Sequence, residues 1–168
     1  DLGVLQDVID NSLGTLNMYM EENGNGVIEP LELGAQEWVN GRLTSFRCDL
    51  LKGDMDICGL SGEIPESMSN LTNLTSLTLG GKELSGEIPE SIGNLINLTS
   101  LILTGDQLTG EIPSEIGNLT NLTVFSLYET QLTGEIPPEI GNLTNLTQLY
   151  LSYNQLTGEI PSDIWNLT

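Results

Sequence analysis

The chain has 168 residues, 38% of them hydrophobic, with a mean hydropathy of −0.02; this suits one folded domain and excludes a low-hydrophobicity disordered segment. Its formal net charge is −20, with four Lys and Arg against 24 Asp and Glu, a balance that repels nucleic acid and favours cations, basic partners or a screening medium. No apolar run nears the ~18 residues a membrane-spanning helix needs, so no membrane span is expected. The chain opens at Asp1 with no signal peptide, which fits a processed secretory protein or a fragment.

In chain order, residues 2–20 place Leu2, Leu5, Ile9, Leu13, Leu16 and Met20 three or four apart, the spacing of an amphipathic helix. Residues 21–32 then resemble the twelve-residue EF-hand loop. Asn23 and Asn25 fall at positions three and five, Gly26 at the turn, and Glu32 at the bidentate twelfth position. The resemblance implies a Ca2+ ion held by Glu21, Asn23, Asn25, the Val27 carbonyl, Glu29 and Glu32. It departs at position one, where Glu21 replaces the usual Asp and its extra methylene weakens the site. A second helix over residues 31–39, carrying Trp38, completes the expected helix–loop–helix. The plainer reading is a helical cap over the open end of the core that follows.

Three of the four basic residues (Arg42, Arg47 and Lys52) come next. Cys48 and Cys58 leave two readings: a disulfide closing a short loop in an oxidising compartment, or buried thiols.

From here the chain repeats. Gly-Glu-Ile-Pro recurs at Gly62, Gly86, Gly110, Gly134 and Gly158, each 24 residues after the last, and Leu60, Leu84, Leu108, Leu132 and Leu156 keep the same period. Within a unit, Leu77-x-Leu79, Leu101-x-Leu103, Phe125-x-Leu127 and Leu149-x-Leu151 alternate like half-buried strands. Stacked units align these into a parallel sheet, giving an α/β repeat solenoid. These residues closely resemble the plant-type extracellular leucine-rich repeat, LxxLxxLxLxxNxLxGxIPxx, over roughly residues 55–168. That family includes receptor-kinase ectodomains, polygalacturonase inhibitors and an ice-binding relative. The resemblance implies an extracellular protein whose concave sheet presents a surface to a protein or glycan ligand. The family's Asn column falls on Cys58, Lys82, Asp106, Thr130 and Asn154, so Cys58 is also a candidate ladder residue. The expected division is a helical cap over 1–47 and a solenoid over 48–168.

The variable outward positions carry the candidate site: Tyr128, Tyr150 and Tyr153 toward the C-terminal end, with Glu129 and Ile102 beside them. Mixed residues in these columns argue against an ice-binding array, which needs one small residue repeated. Glu63, Glu87, Glu111, Glu135 and Glu159 form an acidic column. Glycan acceptor sequons stand at Asn70, Asn73, Asn97, Asn118, Asn121, Asn142, Asn145 and Asn166. The chain has no His, neither Cys has an activating base, and the carboxylates lie on repeated columns, so no enzyme is expected. Trp165 and Leu167 sit at an edge with no polar cap in the sequence, which makes head-to-tail self-assembly into a filament the alternative to ligand display.

Overall fold

A computed structural model describes residues 1–12, 35–48, 50–51, 55–56 and 60–167. Helix α1 (Leu2–Asn11) comes first, then strands β1 (Ala35–Val39) and β2 (Arg42–Cys48), and a small antiparallel pair, β3 (Leu50–Leu51) and β4 (Met55–Asp56). The repeats follow as β5 (Ser61–Glu63), β6 (Ser76–Gly80), β7 (Glu83–Glu87), β8 (Ser100–Thr104), β9 (Gln107–Thr109), β10 (Val124–Ser126) and β11 (Gln148–Tyr150). A short 3-10 turn after each Gly-Glu-Ile-Pro, such as Ser114–Asn118, separates a unit's two extended pieces.

Two sheets result. The long one has the order β1-β2-β6-β8-β10-β11, and β5-β7-β9 form a second one opposite it. Each repeat strand pairs in parallel with its counterpart one unit on, so Leu77, Leu101, Phe125 and Leu149 lie in one row. Between the sheets the leucines fill a continuous core: Leu119, Leu122, Phe125, Leu127 and Leu132 are fully buried. Each such side chain contributes about 1.5–3 kcal/mol, which no single unit could gain alone.

The hydroxyls and amides of the repeats stitch the units together. Thr99, Thr123 and Thr147 Oγ1 each donate 2.9 Å to the carbonyl of the corresponding Thr one unit earlier. Asn154 does the same work at the other end of a strand. Its Nδ2 donates to the Leu127 carbonyl at 2.6 Å and the Leu151 carbonyl at 3.1 Å, while its Oδ1 accepts from Leu132 N at 3.2 Å.

The acidic column also has a packing role. Gly86, Gly110, Gly134 and Gly158 have φ of +74° to +80°, a region that favours glycine. The stem of the preceding unit's Glu lies over each one, so that a Cβ on Gly110 would stand 2.7 Å from Glu87 Cγ. The glycine is thus needed both for backbone shape and to seat the glutamate.

At the N-terminal end the outcome differs from the expected helix–loop–helix. Val4, Leu5, Val8 and Ile9 of α1 are buried in the shared core, and Asp1 accepts from Arg42 Nε at 3.1 Å and Leu43 N at 2.8 Å. The second helix expected over residues 31–39 is not formed at 35–39, where β1 pairs antiparallel with β2. The reason is local: Val39-Asn40-Gly41-Arg42 is a two-residue hairpin, with Asn40 and Gly41 at φ 52° and 74°, and Trp38 and Val39 favour a strand. Because β2 also pairs in parallel with β6, the long sheet reaches back into the segment assigned to the cap. The proposed calcium ligands Glu21, Asn23, Asn25, Val27, Glu29 and Glu32 lie outside the described residues. Cys48 is fully buried and disulfide-bonded, and Cys58, the chain's other cysteine, also lies outside them.

Candidate functional site

The outer face of the long sheet is the surface that varies between units. Strand register puts Arg47, Thr78, Ile102, Ser126 and Tyr150 in a single row across it. Neighbours in such a row stand about 4.5–5.5 Å apart, so small side chains are shaded by large ones. Thr78 and Ser126 accordingly keep only 5% and 7% of their surface, and do not display themselves as the alternation alone suggests. Ile102 is half-buried, while Arg47 and Tyr150 project.

The C-terminal half of this face is aromatic. The Tyr128 and Tyr153 rings meet edge to face with centroids 5.2 Å apart, and Tyr153 is 71% exposed. Tyr150 stands one row away, its hydroxyl donating to Gln148 Oε1 at 3.2 Å. Burial pushes the Tyr128 hydroxyl above its ordinary pKa, and the neighbouring Glu129 carboxylate adds to the rise. Sequence reasoning thus placed these three tyrosines and Glu129 in one patch, and the structure does bring Tyr128, Tyr153 and Glu129 together.

What it did not anticipate is how the patch is held. Glu129 and Tyr153 occupy equivalent positions in successive units, and both adopt left-handed backbone, φ 53° and 60°. Their counterparts Gly81 and Gly105 do not, although glycine would do so without strain. A non-glycine residue in this region costs about 1–2 kcal/mol, and such strain concentrates where a surface has a job. The turn at Tyr153 carries its ring onto Tyr128.

The N-terminal half of the face is a groove of about 560 Å³ of mixed polarity that sequence reasoning missed, lined by Glu37, Ser45, Arg47, Ser76, Thr78 and Ile102 among others. Its signal was the Asn-Gly hairpin, which folds β1 alongside β2 and builds the groove's near wall. Elsewhere, Trp165 and Leu167 lie at the last described turn: Trp165 is 84% exposed, whereas Leu167 packs partly against the core. Regular columns do exist, but on the lateral side. Asn97, Asn121 and Asn145 donate to carbonyls of the preceding unit at 2.8–2.9 Å, beside the Thr99, Thr123 and Thr147 column. Among the described residues no helix is long and apolar enough to cross a membrane.

The stacked units and their leucine core define a leucine-rich repeat solenoid. The leucine-rich repeat region profile matches residues 55–167, and the chain belongs to that family. No curated relative matches the chain. Among solved structures it is similar to the plant peptide hormone receptor RGFR1 in complex with RGF2, at 45% identity and TM-score 0.62 over 64% of this chain and 18% of that one. It is similar to the Arabidopsis receptor kinase HAESA ectodomain in complex with an extended IDA peptide hormone, at 38% identity and TM-score 0.64 over 75% of this chain and 20% of that one. A plant ice-binding protein superposes with TM-score 0.75 at 28% identity over 99% of this chain and 52% of its own. The chain therefore spans a fifth or less of the two receptor chains and about half of the ice-binding one.

Proposed function

We propose that this chain is a non-enzymatic extracellular interaction module that takes a protein or peptide segment along the outer face of its long sheet, with Tyr128, Tyr150, Tyr153, Glu129 and Ile102 as the contact residues. The observation that carries this reading is the Tyr128–Tyr153 pair, held by two left-handed non-glycine residues at one end of that face. Two of the solved relatives are receptors complexed with peptide hormones, which supports a peptide ligand. Exposed aromatic side chains that become buried on binding dominate the energy of many interfaces. The test is selection of binders from a displayed peptide library, followed by binding measurements on Tyr150→Ala and Tyr153→Ala. Loss of about tenfold or more in affinity, or ~1.4 kcal/mol, is expected for each. Selected peptides that bind both variants as well as they bind the native chain would move the ligand off this patch.

One observation favours a second reading. The lateral Asn97/Asn121/Asn145 and Thr99/Thr123/Thr147 columns repeat at the inter-strand spacing of ~4.8 Å, a lattice suited to ordering water, and the plant ice-binding structure superposes on this chain. An ice-recrystallisation assay on unglycosylated protein tests it; crystals that coarsen as fast as in buffer reject it.

A further inference from the structure

The sequence writes two glycan acceptor triplets into a unit, three residues apart: Asn118-Leu119-Thr120 with Asn121-Leu122-Thr123, then Asn142-Leu143-Thr144 with Asn145-Leu146-Thr147. As triplets they are equal. Their places in the fold are not. In the second triplet both polar side chains are engaged across the seam between units. Asn121 Nδ2 donates to the Ile96 carbonyl at 2.9 Å, and Thr123 Oγ1 to the Thr99 carbonyl at 2.9 Å. The same pair of bonds recurs for Asn97 and Thr99, at 2.8 and 2.9 Å, and for Asn145 and Thr147, at 2.8 and 2.9 Å.

The first triplet is different. Asn118 and Asn142 are exposed and, among the described residues, their amides have no hydrogen-bond partner. Together with Thr120 and Asn166 they line an open lateral groove of about 1120 Å³. Asn70 holds the equivalent position and is exposed too. Asn94 belongs to the same column, but Ile96 takes the place of its hydroxyl residue and removes the triplet.

We propose that, in a eukaryotic secretory pathway, N-linked oligosaccharide is carried by the Asn70/Asn118/Asn142/Asn166 column and is excluded from the Asn97/Asn121/Asn145 column of the folded, secreted chain. Transfer from a lipid-pyrophosphate-linked oligosaccharide forms a bond from Nδ2 to the sugar's anomeric carbon, breaks that carbon's bond to phosphate oxygen, and releases one Nδ2 proton and the lipid pyrophosphate. On the seam column, that nitrogen already lies against a carbonyl of the preceding unit, so the sugar competes with the contact that registers two units. Chains modified there close the seam poorly and are depleted from the folded product. On the groove column, the acceptor amide has no hydrogen bond to give up among the described residues, and Asn142 Nδ2 only rests over Gly117 of the preceding unit. Successive units lie ~4.8 Å apart, too close for two sugar rings side by side, so Asn118 and Asn142 are alternatives within one molecule.

The test is secretion of the chain from eukaryotic cells, digestion after Glu and Asp, and site-resolved mass spectrometry of the glycopeptides. Occupancy at Asn118 plus Asn142 should exceed that at Asn121 plus Asn145 by at least about fivefold, equivalent to ~1 kcal/mol or one net hydrogen bond. Asn73 starts the same kind of triplet in the first full unit but its amide has no such seam bond among the described residues, so replacing Asn70, Asn73, Asn118, Asn142 and Asn166 together with Gln should leave secreted protein at the unglycosylated mass. Asn121→Gln alone should keep the native glycan mass while lowering the unfolding midpoint. Glycan found equally on Asn121 or Asn145, peptides carrying sugar on Asn118 and Asn142 at once as the main species, or native chain secreted with no glycan would each overturn the proposal.

Discussion

Two glycine columns run up this solenoid for different physical reasons, and substitution separates them. Gly117 has no left-handed backbone, but a Cβ there would stand 2.7 Å from both Cβ and the carbonyl oxygen of Glu139 in the next unit. A backbone carbonyl cannot swing aside, so Gly117→Ala forces two units apart, an overpacking cost of ~1–3 kcal/mol. For a domain of this size, 2 kcal/mol lowers the unfolding midpoint by about 4–8 °C. Gly134→Ala costs a similar ~1–2 kcal/mol by another route, because φ is +74° and the Cβ meets the side chain of Glu111, at 2.8 Å, and no backbone. Asparagine distinguishes the two. It tolerates left-handed backbone, so Gly134→Asn should be milder than Gly134→Ala, while the larger Gly117→Asn should be worse than Gly117→Ala. Gly3→Ala, with nothing within 4 Å of the added Cβ and a helical position, should be neutral or stabilise by up to ~1 kcal/mol. Urea titrations followed by circular dichroism measure all five. If Asn and Ala rank the same way in both columns, the distinction between a conformational glycine and a steric one is wrong.

Other outcomes follow from single contacts. Asn154→Ala should cost about 2–3 kcal/mol in the same titration, since the Leu127 carbonyl and Leu132 N–H lose a part-buried partner; a loss below ~0.5 kcal/mol would mean these bonds are replaced by water. Tyr153→Asn should leave stability unchanged or raise it, by relieving left-handed strain, while weakening partner binding; parallel losses in both would show that the ring is structural. Tyr128 has a folded pKa above its unfolded value, so the stability it contributes is complete below the unfolded pKa near 10.0 and is lost as pH rises through the folded one. In an ultraviolet titration, Tyr128→Phe should remove a tyrosine that ionises above the ordinary value, and Glu129→Gln should bring that residue only part of the way back, because burial raises it as well. The filament alternative predicts concentration-dependent light scattering by the native chain that Trp165→Gly abolishes; a monomer at every concentration would end it.

The repeat core was legible because every unit solves the same packing problem with the same letters: Leu119 and Leu143 must be leucine for the reason Leu95 must, and identity at a fixed period exposes that. The segment before the repeats has no second copy to compare, and there the periodicity argument failed. Apolar residues around Trp38 read as a continuation of helix, yet Asn40-Gly41 is a stronger local signal than their spacing, since few other pairs can take two successive positive φ angles. The tyrosine patch was visible because it interrupts a regular pattern, whereas its left-handed support was not: glycine stands in that column in the units where the conformation is absent. The acidic column and the sequons share the opposite difficulty. Each Glu looks like surplus charge until its stem is seen lying on the next unit's glycine. Each Asn-Leu-Thr looks like its neighbour until one is found bonded across the seam and the other facing an open groove. A repeat sequence states what every unit has in common; it is silent on contacts made between units, and in this solenoid those contacts distinguish a structural asparagine from one free to carry a sugar.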